Sequence, residues 1–290
     1  MDNLCGLNNI GNTCYMNSAI QMLLSCKVLI QILLNYNFKS EILNKFKDFL
    51  KKYKNNNVIT PDSIKKIVCD KDNTFKGFNQ HDSHEFLIRL LEILEDEFKK
   101  EDNKDICGID IKDIVGNIFD SNITSIIYCE KYKEKSKNKV KEKTLSFSLP
   151  SKDNLNLNDC IENYSRIEQL TDDNKWFYEK KNEYVEAYKR LYIKNFAKYL
   201  IIHLKRFTFF TNSSKDNRDI EITENLKFRD KDYELRSIIH HSGGTGGGHY
   251  ISLVKNDNKW FICNDSRVTE TNDISQYLYK GYIYLFVKKK

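Results

Sequence analysis

The apolar residues of this 290-residue chain change their spacing once, near residue 116. Before that point they recur at intervals of three and four. After it they alternate, or run together in short stretches rich in Ile, Phe and Tyr. A helical period followed by a strand period predicts an α+β fold rather than a repeating βαβ one. With 40% apolar and 12% aromatic residues, the chain can bury a substantial core, as one elaborated domain or two closely fused lobes.

Thr13 is placed to cap a helix over residues 14–26, with Met16, Ile20, Leu23, Leu24 and Cys26 near 3.6 spacing. A shorter helix opens at Pro61-Asp62-Ser63 and runs through Val68. A longer one begins near Asp82, striped by Phe86, Leu90, Ile93, Leu94 and Phe98. Strands are expected over residues 117–129, 144–149, 198–210, 235–240, 250–255, 259–263 and 282–288. Residues 198–210, KYLIIHLKRFTFF, are the most apolar and β-branched run and read as a central strand. The layout is a helical lobe, a β-rich projection and an antiparallel C-terminal sheet, with a cleft between lobes.

Formal net charge is +6, from 47 basic and 41 acidic residues, mostly interspersed. That pattern lacks the clustered basic face of a nucleic-acid binder. Residues 131–143 are the exception, with lysine at every odd position opposed only by Glu134 and Glu142. If extended, the seven lysines line one face of a strand; the segment reads as a solvated hairpin or loop rather than a binding surface for acids. Eight cysteines sit at irregular positions, 5, 14, 26, 69, 107, 129, 160 and 263. They suggest reduced thiols in the cytosol or nucleus rather than a disulfide framework. No run approaches the ~18 apolar residues of a membrane span, and residues 1–4 lack the charged and apolar blocks of a leader.

One thiol stands out. Cys14 falls in the first turn of a predicted helix, where the macrodipole favours thiolate; the alternative is a small buried apolar side chain. Far along the chain, residues 243–248 contain five glycines and lead into His249-Tyr250. Strands 250–255 and 259–263 form a hairpin around Asn256-Asp257, which sets His249 opposite Asn264. A slip of one residue would bring Asp265 there instead, and either side chain can orient an imidazole. Asn9, in the loop feeding the helix, is placed to aim a carboxamide N–H at a developing oxyanion beside the Cys14 backbone N–H, or else simply forms a turn.

The motifs around these residues resemble one family. Residues 6–18, GLNNIGNTCYMNS, look like the cysteine box of the ubiquitin-specific proteases, and residues 77–87, GFNQHDSHEFL, resemble their glutamine-aspartate box. Residues 199–207, YLIIHLKRF, resemble their central palm strand. Gly247-Gly248-His249-Tyr250, Trp260 and Asn264-Asp265-Ser266 resemble their histidine box, and residues 282–286 their last strand. The matches span nearly the whole chain in family order.

The resemblance implies a papain-like α+β cysteine peptidase in which residues 1–290 form one catalytic domain. About 1–115 would be a helical thumb, about 116–190 β-rich fingers, and about 191–290 an antiparallel palm. It makes Cys14 the nucleophile, His249 the base, Asn264 the orienting residue, Asn9 the oxyanion donor and Asp265 a polar supporter. Gln80, Asp82, Gly247, Gly248 and Tyr250 would bind the tail of ubiquitin, with the glycine run as a mobile flap. The implied reaction is hydrolysis after the terminal Gly-Gly of ubiquitin through a Cys14 thioester. The alternatives are a peptidase for another ubiquitin-like modifier and an inactive ubiquitin-binding scaffold. Implied partners are ubiquitin and ubiquitinated proteins, with no nucleic acid and no membrane, for a monomer of the cytoplasm or nucleus. No cofactor is expected. Many members hold the fingertips with a zinc ion on two CxxC pairs. Here the zinc site is degenerate: residues 129–132 keep only Cys129, and residues 177–182 hold no cysteine, so no metal is expected. Cys107 and Cys160 read as packing residues.

Overall fold

The computed structural model describes residues 4–102, 105–106, 108–208 and 213–289. Residues 1–3, Cys107 and the end of the expected strand 198–210 (residues 209–210) lie outside the described residues.

Helices build the first lobe: α1 (Cys14–Leu24), α2 (Lys27–Asn35), α3 (Glu41–Asn55), α4 (Asp62–Lys71), α5 (Ser83–Lys99) and α6 (Ile114–Phe119). α1 stops two residues short of the expected end because Cys26 starts α2, and the two helices meet at 84°. Thr13 does precede α1 but does not cap it through its side chain; its hydroxyl accepts instead from the Ile10 N–H at 2.9 Å. Asp82 does cap α5, its Oδ1 accepting from the N–H groups of His84 and Glu85. Gly116 belongs to α6, so the change to strand comes at Ser121.

The strands, with two later helices, follow in chain order. They are β1 (Ser121–Cys129), β2 (Glu134–Glu142), β3 (Thr144–Ser148), α7 (Leu157–Tyr164), β4 (Glu168–Leu170), β5 (Ala187–Asn195) and β6 (Tyr199–Lys205). Then come β7 (Lys231–Gly244), β8 (Gly247–Asn256), β9 (Lys259–Asn264), β10 (Arg267–Thr271), α8 (Ser275–Lys280) and β11 (Ile283–Lys288). β2-β1-β5-β4 form an antiparallel sheet, the fingers. The palm runs β10-β9-β8-β7-β11-β6-β3. It is not wholly antiparallel, since β6 pairs parallel to β3. Helix α7 and the fingers strands β4 and β5 lie between those two strands, and so long a connection permits a parallel return. β3 therefore belongs to the palm although it lies inside the interval expected for the fingers, and β5 carries the fingers on to residue 195.

The apolar run of β6 is explained by burial on both faces. Tyr199 and Ile201 face the helical lobe with Tyr282, Ile283 and Leu285. Leu200, Ile202 and Leu204 face the other way, with Leu157 and Cys160 of α7 and Leu278 of α8. Just after β6, Arg206 is 1% exposed. Its guanidinium donates to the carbonyls of Gly281, Asp216, Arg218 and Tyr279 at 2.8–3.1 Å, so its buried charge is met by backbone rather than by a carboxylate.

The fingertip is held by packing. Cys129 is buried with Leu170, Tyr178, Val185 and Ala187, flanked by Tyr132 and Trp176. The Tyr132 and Tyr178 rings stack at 5.0 Å, and Glu183 accepts from Lys131 and Tyr132. Among the described residues no three His, Cys, Asp or Glu side chains are grouped to hold a metal ion.

Where α5 meets the palm, His84 stacks on His203 of β6 at 3.8 Å. Burial pushes the His84 imidazole down to about 4 and holds His203 well below its ordinary range. The unfolded chain therefore binds protons between about pH 6.5 and pH 4 that this pair refuses, and stability falls as pH is lowered through that window. Urea unfolding at pH 7 and pH 5 checks this: wild type should lose stability at pH 5, and His203→Asn should lose less. Equal slopes would contradict it.

Candidate active site

α1 is buried along its whole length and packs on β8, the strand that carries His249. This packing brings the thiol at the helix start beside the histidine strand. Cys14 is 4% exposed. Burial raises its thiol above the ordinary range, and Asp265 adds to this. The N–H groups of Tyr250, Tyr15 and Cys14 itself, which stabilise the sulfur anion, pull the other way. Desolvation outweighs the helix start, so the sulfur carries its proton at neutral pH.

The hairpin turn is Asp257-Asn258, not Asn256-Asp257. Both residues adopt positive φ, 46° and 67°, as a type I′ turn requires, and Asn256 pairs with Lys259. The register is therefore two residues away from the expected one, and His249 is not directly opposite Asn264. A shift of two leaves every side chain on its original face. Diagonal neighbours remain within reach, and His249 Nε2 donates to Asn264 Oδ1 at 2.7 Å.

Asp265 sits in the next turn at φ 49° and turns away from the imidazole. Its Oδ1 accepts from Asn17 Nδ2 at 2.7 Å and its Oδ2 from Asn9 Nδ2 at 2.9 Å. Its carbonyl accepts from the Leu7 N–H. Asn9 Oδ1 accepts from the N–H groups of Gly11 and Thr13, both at 3.1 Å. The Asn9 carboxamide is thus fixed in orientation, with one of its two Nδ2 hydrogens committed to Asp265. Asn17, buried on α1, also donates to the carbonyls of Leu7 and Asn8. The sequence reading gave it no role; its place one helical turn beyond Cys14 was the available signal. Gly6 lets this loop close on the turn, because a Cβ there would lie 2.1 Å from Ser266 O.

The expected tail-binding residues surround a cleft of about 260 Å³ lined by Gln80, His81, Asp82, Phe207, His241 and Tyr250 with residues 244–247. The glycine run is not a coil. It is the tip of the β7–β8 hairpin, with Gly243 paired to Gly248 and Gly244 to Gly247 around Thr245-Gly246. Gly248 must lack a side chain, since a Cβ would lie 2.3 Å from both His241 Nε2 and Ser242 O. Its N–H donates to Gln80 Oε1 at 3.1 Å, bridging the two walls. Asp82 is occupied within the protein: beyond its cap on α5, Oδ2 accepts from Tyr250 at 3.2 Å and Tyr282 at 2.6 Å. Burial raises both phenols, so both stay protonated donors. Tyr282 is a second residue the sequence reading left without a role at the site.

A buried thiol at a helix start, packed on a strand whose imidazole is held by a carboxamide, is the arrangement of a papain-like thiol hydrolase. The profile of the family described as Ubiquitin carboxyl-terminal hydrolase matches residues 5–286. The chain belongs to that family, whose members are cysteine-type deubiquitinases. It is 28% identical over 311 residues to Ubiquitin carboxyl-terminal hydrolase 4 of Arabidopsis thaliana, covering 91% of this chain and 84% of that protein. It is also 28% identical to Ubiquitin carboxyl-terminal hydrolase Usp2 of Drosophila melanogaster, covering 93% of this chain but 33% of the relative. Among solved structures, the SAGA DUB module of Ubp8, Sgf11, Sus1 and Sgf73 bound to monoubiquitin matches with a TM-score of 0.79 at 24% identity, over 100% of this chain and 70% of that one. The same module bound to ubiquitin aldehyde gives 0.77 at 23% identity, with the same coverage.

A raised thiol has a direct consequence. Iodoacetamide should alkylate Cys14 more slowly at pH 7 than it alkylates a free cysteine, with a rate still climbing above pH 9. Mass mapping of the Cys14 peptide against pH measures this; a plateau below pH 8 would contradict it.

Proposed function

We propose that this chain hydrolyses the isopeptide or peptide bond after the terminal Gly-Gly of ubiquitin, with Cys14 as nucleophile. The observation that carries the assignment of roles is the 2.7 Å bond from His249 Nε2 to Asn264. It fixes the tautomer and leaves Nδ1 to receive the thiol proton. As sulfur attacks the glycine carbonyl carbon, the proton passes to Nδ1. The oxyanion that forms takes hydrogen bonds from the Cys14 N–H and the uncommitted Nδ2 hydrogen of Asn9. Collapse expels the amine, which takes the proton from His249 and leaves a thioester. Water, deprotonated by the same imidazole, then attacks the thioester, releasing the carboxylate and restoring the thiol.

Asp265 acts through Asn9 and Asn17, holding the oxyanion donor against the helix that carries the nucleophile. The cleft suits a tail without side chains, since its rim is glycine and its walls are bridged by Gln80. The two solved relatives were captured with monoubiquitin and with ubiquitin aldehyde, which supports ubiquitin as the partner here. The described cysteines are all unpaired, which suits a reducing compartment.

Ubiquitin carrying a thiol-reactive C-terminal group, used beside matching probes built on other modifiers, tests the assignment. The expected result is a ubiquitin adduct that disappears in Cys14→Ala, and turnover about 10²- to 10³-fold lower in Asn9→Ala. Labelling by another modifier alone would reassign the substrate. Tight ubiquitin binding without an adduct would make the chain a scaffold.

A further inference from the structure

The loop leading from Asn9 into α1 is held in a conformation that few residues adopt. Gly11 and Asn12 follow one another at positive φ, 104° and 52°. A non-glycine residue stays in that left-handed region only where its surroundings fix it. Asp265 and the internal bonds of Asn9 secure one side of the loop. The other side leans on Phe78, in the segment between α4 and α5. The Phe78 ring fills the space that a Cβ at Gly11 would take, and the Phe78 carbonyl accepts from Asn12 Nδ2 at 2.9 Å.

Phe78 is 69% exposed, so its ring adds little to the core. Its segment is nevertheless well anchored. Lys65 of α4 donates to the Gly77 carbonyl at 2.8 Å. The same ammonium lies 5.0 Å from the centroid of the Phe78 ring, a cation–π contact. Two residues beyond Phe78, Gln80 takes the Gly248 N–H across the cleft. Residues 77–80 therefore tie α4, the loop of Asn9 and the tip of the glycine hairpin together. Asn9 Oδ1 is clasped by the N–H groups of Gly11 and Thr13, on either side of Asn12. A shift of Gly11 and Asn12 thus turns the Asn9 carboxamide with them.

We infer that Phe78 is a positioning residue for the hydrolysis: through Gly11 and Asn12 it keeps the Asn9 carboxamide where the developing oxyanion will lie. The inference rests on the deubiquitinase reading and adds a residue that acts through its neighbours. A hydrogen-bond donor aimed at the oxyanion stabilises the transition state more than the bound substrate, so its displacement lowers kcat and spares KM.

The test follows turnover of ubiquitin bearing a C-terminal fluorogenic amine by wild type, Phe78→Ala, Phe78→Leu and Phe78→Tyr. Phe78→Ala is also combined with Asn9→Ala. In Phe78→Ala kcat should fall about tenfold with KM within about twofold; Phe78→Leu should lose less, and Phe78→Tyr should keep wild-type kcat. On the Asn9→Ala background Phe78→Ala should lower kcat less than about twofold, because the donor it positions is gone. Affinity for ubiquitin aldehyde, whose adduct with the thiol is tetrahedral, should fall about tenfold in Phe78→Ala, while affinity for ubiquitin with its free carboxylate is unchanged. This second comparison reads the oxyanion site even where Asn9→Ala turns over too slowly to follow. An unchanged kcat in Phe78→Ala overturns the inference and leaves the deubiquitinase reading standing. So does a rise in KM at constant kcat, which would make Phe78 a substrate contact, or the full loss repeated on Asn9→Ala. Unfolding of both Phe78→Ala and Phe78→Leu in thermal melts would make Phe78 a structural residue and also overturn it. Absence of wild-type turnover on ubiquitin would overturn the deubiquitinase reading and the positioning role with it.

Discussion

Everything at the site depends on the burial of α1. A helix surrounded by protein must be apolar on every side or must find partners for each polar group it takes inside. α1 does both. Met16, Ile20 and Leu23 fill the core of the helical lobe, while Asn17, Ser18 and Gln21 are buried and bonded. Asn17 holds the Leu7–Asn9 backbone and Asp265. Ser18 meets Ser83 at the start of α5. Gln21 donates to the Cys5 carbonyl and accepts from Tyr53 of α3. These bonds tie the N-terminal loop, both lobes and the turn after β9 to one rigid element. Cys14 is its first residue, so the proposed nucleophile inherits the precision of the core.

The same burial shapes the chemistry. A helix start favours thiolate, but a desolvated sulfur resists charge, and here desolvation wins. In the proposed mechanism the sulfur therefore rests as a thiol and becomes an anion as His249 takes the proton. Asp265 fits this economy, since its carboxylate positions Asn9 and Asn17 but also opposes an anion at Cys14. The orienting bond to His249 comes instead from neutral Asn264, which adds no charge beside the sulfur.

Much of this was legible in the residues because period and face are local properties. The switch from helix to strand, the stripe on α5 and the buried palm strand β6 all follow from spacing, although β6 lies one strand in from the palm's edge rather than at its centre. The hairpin brought His249 to Asn264 although its turn lay one residue later than expected, because a shift of two preserves the face. The break between α1 and α2 was hidden, since their apolar residues run on across an 84° bend. α3, with its Ser40 cap and buried Leu43, Phe46 and Phe49, was passed over because its 15 residues carry seven charges around that stripe. Residue spacing could not show how Asp82 is used, because its phenol partners, Tyr250 on β8 and Tyr282 just before β11, lie far away in the chain. Nor could it show that the glycine run is a paired hairpin rather than a loop, which depends on contacts with Gln80 and His241.

On the proposed mechanism the buried helix presents Cys14 as the acyl acceptor. Acid-quenching the wild-type enzyme during turnover of a ubiquitin amide, followed by peptide mass mapping, tests it most directly. The expected species is a hydroxylamine-labile ubiquitin thioester confined to the peptide containing Cys14. A thioester on another cysteine, or steady turnover with no acyl-enzyme at any sampled time, would contradict it.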